Sequence, residues 1–176
     1  MVYSQYISNH IQIMITKEQY IEALANEFRI IKHLAEKVTP GQLTHKPTDK
    51  QRTTNELLHY LTYIFIAGVE SVVSEDGDTW KKYFGSPVPK LEDFASLIDK
   101  EESDIRTMLA PLTNEDLKKE VAMWGMTQSR ALHLLGLLKI ASAYKMQLFL
   151  YMKQSGTENI GTMNLWAGMD QPPKVA

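Results

Sequence analysis

From Ala131 to Met152 the chain reads ALHLLGLLKIASAYKMQLFLYM, apolar on nearly every face of a helix. That pattern marks the central helix of a packed domain rather than a surface helix with a single apolar stripe. Ala, Leu, Met and Lys favour helix and no proline interrupts the run, although Gly136 costs about 1 kcal/mol against alanine. Its length approaches the roughly 20 residues that cross a bilayer. Lys139 and Lys145 fall in its middle, however, so a buried bundle helix is expected, with both lysines snorkelling to water. Along one side His133, Leu137, Ile140, Tyr144, Gln147 and Tyr151 follow three-and-four spacing, which predicts a polar-aromatic seam.

The earlier segments are more conventionally amphipathic. Residues 1–15 read equally well as a strand or as an extension along a bundle, and are left unassigned. Thr16 with Gln19 forms a capping box, followed by the core rhythm Ile21, Leu24, Phe28, Ile31, Ala35, Val38 up to Thr39-Pro40-Gly41. A second box, Thr53 with Glu56, opens a helix through Leu57, Tyr60, Leu61, Ile64, Phe65, Gly68 and Val72, ended by Glu75-Asp76-Gly77-Asp78. A link of about a dozen residues then runs to Pro89, long for a helix hairpin. The third helix is predicted from Lys90 to Ala110. Glu101 falls on its inward stripe, where it is either a buried carboxylate available for acid–base work or, as expected of an unpaired carboxylate, a side chain bent to solvent. Pro111 to Gly125 is irregular, with room for a short hairpin at Glu120 to Met126. Thr127 is the expected cap of the central helix, which should end near Ser155-Gly156. Four helices, one apolar all round, predict an all-α four-helix bundle. It forms one domain over residues 1–176, with an N-terminal extension (1–15) and a C-terminal tail (157–176) that docks on the bundle or on a second copy.

Composition narrows the chemistry. The 19 Lys plus Arg against 21 Asp plus Glu leave the chain near neutral with no basic stripe, which argues against a nucleic-acid surface. There are no cysteines, so disulfides, thiolate metal sites and a cysteine nucleophile are all excluded. The opening MVYSQYISNHIQIMIT lacks a basic leader and a small-residue cleavage site, so a cytoplasmic location away from membranes is expected. No nucleophile elbow, phosphate-cradling glycine loop or HExxH occurs.

Four stretches together resemble the DinB/YfiT-like superfamily: VTPGQLTHKPTDKQRTTNELLHYL entering the second helix, KLEDFASLIDKEESDIRTMLAPLTNEDL in the third, the ending YKMQLFLYMKQSG, and the tail NLWAGMD. The resemblance implies an up-down-down-up bundle, often dimeric, with a divalent metal such as nickel or zinc held by three histidines. One comes from the second helix and two, four residues apart, from the last. It also implies an activity of the kind found in metal-dependent thiol transferases and related hydrolases or isomerases.

Carried onto this chain, the three ligand positions are Tyr60, Ile140 and Tyr144. Isoleucine has no lone pair, and a phenol with pKa near ~10 is a poor neutral-pH ligand for these metals. No cofactor is therefore expected. Shifting the match by one residue would enlist His59, but Glu56 fits the family's glutamate and keeps Tyr60 as the equivalent. His133 lies two turns from Ile140, roughly 10 Å along the axis. A relocated site on His59 and His133 is an alternative, weighed against ordinary hydrogen-bonded histidines.

Two outcomes remain for the ligand-equivalent positions. The tyrosines either close-pack the space, as bundle interiors do by default, or line a pocket for a small, mostly apolar ligand together with Trp124 and neighbours His59 and His133. Three functions follow: a non-catalytic protein binding a small molecule or partner, a metal-dependent transferase or hydrolase using a relocated site, and a structural homodimer. The first is favoured.

Overall fold

In the computed structural model, which describes residues 15–172, helix α1 spans Lys17–Ala35. It starts where the capping box predicts: Gln19 N donates to Thr16 Oγ1 at 3.2 Å and Thr16 N to Gln19 Oε1 at 2.9 Å. The extension assigned to residues 1–15 lies outside the described residues apart from Ile15. Beyond α1, a single turn at Pro40–Gln42 buries Gln42, whose amide donates to Ser155 O, Ser155 Oγ and Thr157 Oγ1. This one side chain ties the first connection to the far end of the longest helix.

The second helix departs from its expected continuity. It is two pieces, α2 (Thr54–Leu61) and α3 (Ile64–Ser74), separated by Thr62 and Tyr63. Thr62 turns its hydroxyl back onto His59 O at 2.7 Å, a bond that bends helices. Tyr63 leaves helical geometry at φ −145°. The break frees the first amides of α3, and Glu101 takes them: Phe65 N and Ile66 N donate to its Oε1 at 3.0 and 2.9 Å. Glu101 is therefore buried rather than bent to solvent. A carboxylate on an inward stripe needs donors, and a broken helix supplies two amides together with a favourable dipole.

Helix α4 (Phe94–Leu109) begins after one turn at Leu91–Asp93, later than the expected Lys90. Next comes the short α5 (Asn114–Lys118), capped by Thr113. The hairpin β1 (Glu120–Met123) and β2 (Met126–Ser129) pairs Glu120 with Ser129 and Met123 with Met126, longer than anticipated. Its two-residue turn, Trp124-Gly125, has positive φ at both positions, 53° and 77°, as a hairpin matching strand twist requires. Since β2 absorbs Thr127, the cap of the last long helix is instead Ser129, whose hydroxyl accepts from Leu132 N.

Helix α6 (Arg130–Gln154) is the apolar run. Helices α1, α4, α3 and α6 form a closed ring in which each packs on two neighbours, with α2 continuing α3. Phe28 of α1 meets Phe65 of α3 at 5.2 Å between ring centroids in the core. The Thr54–Ser74 stretch is long and apolar enough to cross a membrane, but over half of it is buried inside the bundle, the behaviour of a core helix. Lys139 is exposed as expected, whereas Lys145 is not: its Nζ lies 2.7 Å from Glu27 Oε2 with both side chains largely buried. An ammonium facing the ring has no path to water, so it is paired instead. The tail forms α7 (Thr162–Ala167) and docks on α1, where Arg29 donates to Ala167 O and Gly168 O.

The Glu101 cap makes stability depend on pH. Burial pushes its carboxyl up to about 8 from 4.5, against the pull of the two amides. Between those values the native state holds a proton that the unfolded chain releases, so stability falls as pH rises through the window and levels off above it. Glu101→Gln keeps an acceptor for the amides and removes the ionisation. Urea midpoints at about pH 5, 7 and 9 should decline for the parent and decline less for Glu101→Gln.

Candidate functional site

Tyr60 on α2 and Tyr144 on α6 face each other with ring centroids 5.1 Å apart. Ile140 sits one turn before Tyr144, half-exposed at the rim. These three positions and Trp124 share one cavity of about 340 Å³. Ile64 and Gly68 of α3 and Leu137 of α6 complete its inner surface, and Trp80 and Phe84, in edge contact at 4.4 Å, close it from the link after α3. No charged side chain is among its lining. The arrangement is therefore an aromatic box: rings from two helices, a hairpin and a link around an aliphatic wall.

Two backbone features keep the box open. A Cβ on Gly68 would fall 2.4 Å from Leu137 Cδ2, so α3 and α6 approach as closely as they do only because that position is bare. Trp124 holds a left-handed conformation that bulky residues rarely adopt. Its indole N–H donates to Gly77 O at 3.1 Å, pinning the hairpin turn to the loop after α3.

Burial keeps the Tyr60 phenol neutral. Burial pushes the Tyr60 hydroxyl well above the ordinary tyrosine range, and the Tyr144 phenol beside it adds to the effect. The Arg52 guanidinium lies over the Tyr60 ring at 4.1 Å and pulls weakly the other way. Tyr63, displaced by the helix break, sits edge-on to Tyr60 at 5.4 Å and to Phe84 at 6.2 Å, and stacks with Tyr83 at 6.5 Å.

The two histidines named as neighbours are placed differently. His133 is buried behind the box, meeting Trp124 edge-on at 5.8 Å. Its Nε2 lies 3.0 Å from Val121 O, which can only accept, and its Nδ1 lies 3.1 Å from the Gln128 amide nitrogen, which donates. The two bonds select a neutral ring protonated at Nε2 and leave no lone pair for a metal. His59 turns into a separate cleft of about 730 Å³ between α2–α3 and α4, where its Nε2 is 2.9 Å from Ser86 Oγ. Burial holds its pKa below the usual histidine range. Glu101 lines that same cleft, and its Oε2 has no hydrogen-bond partner among the described residues.

A divalent metal does not suit the ligand-equivalent positions, which offer two tyrosines, the Tyr60 hydroxyl kept neutral by burial, and a hydrocarbon branch. Among the described residues, no three His, Cys, Asp or Glu side chains gather closely enough to hold one. Residues of the cavity absent from the sequence-based site are Ile64, Gly68, Trp80, Phe84 and Leu137. Trp80 and Phe84 carried a usable signal: two large aromatics four apart in a polar link must cover something.

Together these features describe an all-helical bundle with an aromatic-walled cavity where its second and last long helices meet a hairpin. Solved structures give the fold its name. A DinB-like protein from Bacillus subtilis, YjoA, superposes with a TM-score of 0.67 at 17% identity, over 81% of this chain and 96% of its own. One from Bacillus cereus gives 0.68 at 17%, over 84% and 97%. A putative member of the DinB family from Exiguobacterium sibiricum gives 0.64 at 15%, over 85% and 99%. The chain has the DinB-like fold. No protein-family model and no curated protein sequence matches it.

The close approach at Gly68 is testable by overpacking. Gly68→Ala should destabilise by about 1–3 kcal/mol through the clash with Leu137, and adding Leu137→Ala should recover part of that loss in a double-mutant cycle read by chemical denaturation.

Proposed function

We propose that this DinB-like bundle is a non-catalytic binding protein for a small, mostly apolar molecule, received in the Tyr60–Ile140–Tyr144 cavity. One observation carries the proposal: about 340 Å³ remains open at the ligand-equivalent positions, walled by five aromatic rings. Close packing is the default for a bundle interior, and unfilled apolar space costs stability. Its size is near the lower end of ordinary ligand pockets, and the polar groups are few, as such pockets require. Thermal-shift screening of apolar fragments should yield stabilising compounds whose effect disappears in Tyr60→Ala and Tyr144→Ala. Hits of undiminished effect in both variants would place the binding elsewhere and defeat the proposal.

A metal-dependent transferase or hydrolase would need a relocated centre. His59 and His133 are engaged with Ser86, Val121 and Gln128 and lie on different sides of the α2–α3 segment. Stoichiometric nickel, zinc or manganese retained through chelator dialysis, with turnover dependent on it, would establish that reading over ours.

Self-association is favoured by a second observation. Leu132, Ile140, Met146 and Leu150 of α6 are all more than a third exposed, and Gly136 and Ala143 lie between them along the same side. Exposed apolar residues in a row, interrupted by small ones, suit helix-to-helix contact with a second copy. Sedimentation over a wide concentration range should show a dimer that Leu150→Glu converts to monomer. A parent that remains monomeric at high concentration removes the homodimer.

A further inference from the structure

We infer that the molecule held in the aromatic cavity is an uncharged carbonyl compound with an apolar body, such as a ketone, and that the Tyr60–Tyr144 hydroxyl pair donates to its oxygen. The inference rests on the cavity being a binding site, as proposed above, and adds the ligand's class and the residues that select it. Ions are unsuited to this cavity. Its lining carries no Asp, Glu, Lys, Arg or His side chain, so an ion seated there would give up its hydration with no counter-charge in return.

The hydrogen-bonding groups of the lining set what an uncharged ligand must offer. Its side chains carry two hydroxyls, on Tyr60 and Tyr144, and two indole N–H groups, on Trp80 and Trp124. Trp124 already donates to Gly77 O at 3.1 Å. The phenols are neighbours, with ring centroids 5.1 Å apart, and Tyr144 is the hydrogen-bonding side chain that acts on the Tyr60 hydroxyl. Two hydroxyls can give at most one proton to each other, so at least one stays available to a ligand. A hydroxyl that also accepts a bond donates the more strongly, which favours the pair over a lone phenol. Acceptors are differently placed. The carbonyls of Ile64 and Gly68 in α3 and of Leu137, Ile140 and Tyr144 in α6 stand within helices that use them, and Tyr60 O accepts from Tyr63 N at 3.4 Å. On these helix walls a ligand bringing its own N–H finds only phenol oxygens to receive it, whereas a carbonyl oxygen meets the spare proton.

The test is titration calorimetry on the full chain with compounds of one skeleton: acetophenone, cumene, benzoate and 1-phenylethylamine. Acetophenone should bind, and benzoate and the amine, both ionised at neutral pH, should bind about tenfold or more weakly. Tyr60→Phe/Tyr144→Phe keeps both rings and removes both hydroxyls. It should weaken acetophenone about fivefold and leave cumene, which has no polar atom, unchanged. Unchanged cumene binding also reports that the cavity of the variant is intact. Ile140→Trp, filling the mouth, should weaken both neutral compounds. Either ion binding as tightly as acetophenone, or acetophenone affinity unaltered in the double phenylalanine variant, overturns the carbonyl inference and leaves the cavity reading standing. No binding of any of these compounds, or neutral-compound binding indifferent to Ile140→Trp, overturns both.

Discussion

Glu101 accepts two backbone amides in the interior of the bundle, and the rest of the site follows from where it does so. A helix interrupted inside a core exposes unpaired N–H groups, each of which is costly to leave dry. The carboxylate satisfies two of them at the start of α3, so the second helix can break at Thr62–Tyr63 without leaving these donors orphaned. The break then throws Tyr63 out of the helical path, where it makes ring contacts with Tyr60, Tyr83 and Phe84. Tyr83 is held from the other side by Glu70, whose Oε2 accepts its hydroxyl at 2.6 Å. The link after α3 is thereby anchored against the bundle, and its Trp80 and Phe84 become a wall. A packing solution for one buried carboxyl group is transmitted, ring by ring, to the shape of the cavity.

The cavity persists at a cost the chain could avoid. Larger side chains at Ile140 or Ile64 would fill it, and asparagine or glycine at position 124 would relieve the left-handed backbone of the hairpin turn. Trp124 is retained in a conformation for which its side chain is poorly suited, and it serves there as a wall of the cavity and as a donor to Gly77 O. A strained residue thus stands in an otherwise regular hairpin, next to open apolar space.

Much of the fold could be read from the chain, because the controlling signals are local. The capping boxes at Thr16 and Thr53, the proline after α1 and the apolar run of α6 each act within a few residues, and helices stand where they predict. Three features were hidden because each depends on a partner distant in sequence. The break at Thr62 is invisible without Glu101, and Glu101 is unintelligible without the amides it caps. Lys145 looks like a snorkelling lysine until Glu27 is placed beside it. The site was half legible for the same reason: Tyr60, Ile140 and Tyr144 follow from a resemblance in pattern and Trp124 from its place before the last helix, whereas Trp80 and Phe84 reach the cavity only through tertiary contacts.

Structures sharing 15 to 17% of their residues with this chain keep its backbone arrangement, so the fold tolerates nearly complete replacement of its surface and much of its core. The few side chains that project between α2 and α6 can change chemistry without disturbing the ring of helices. Here they form a largely apolar, aromatic-walled box. Burial keeps the Tyr60 phenol protonated and so a poor metal ligand, and the same desolvation that disfavours a cation inside the box favours hydrocarbon there.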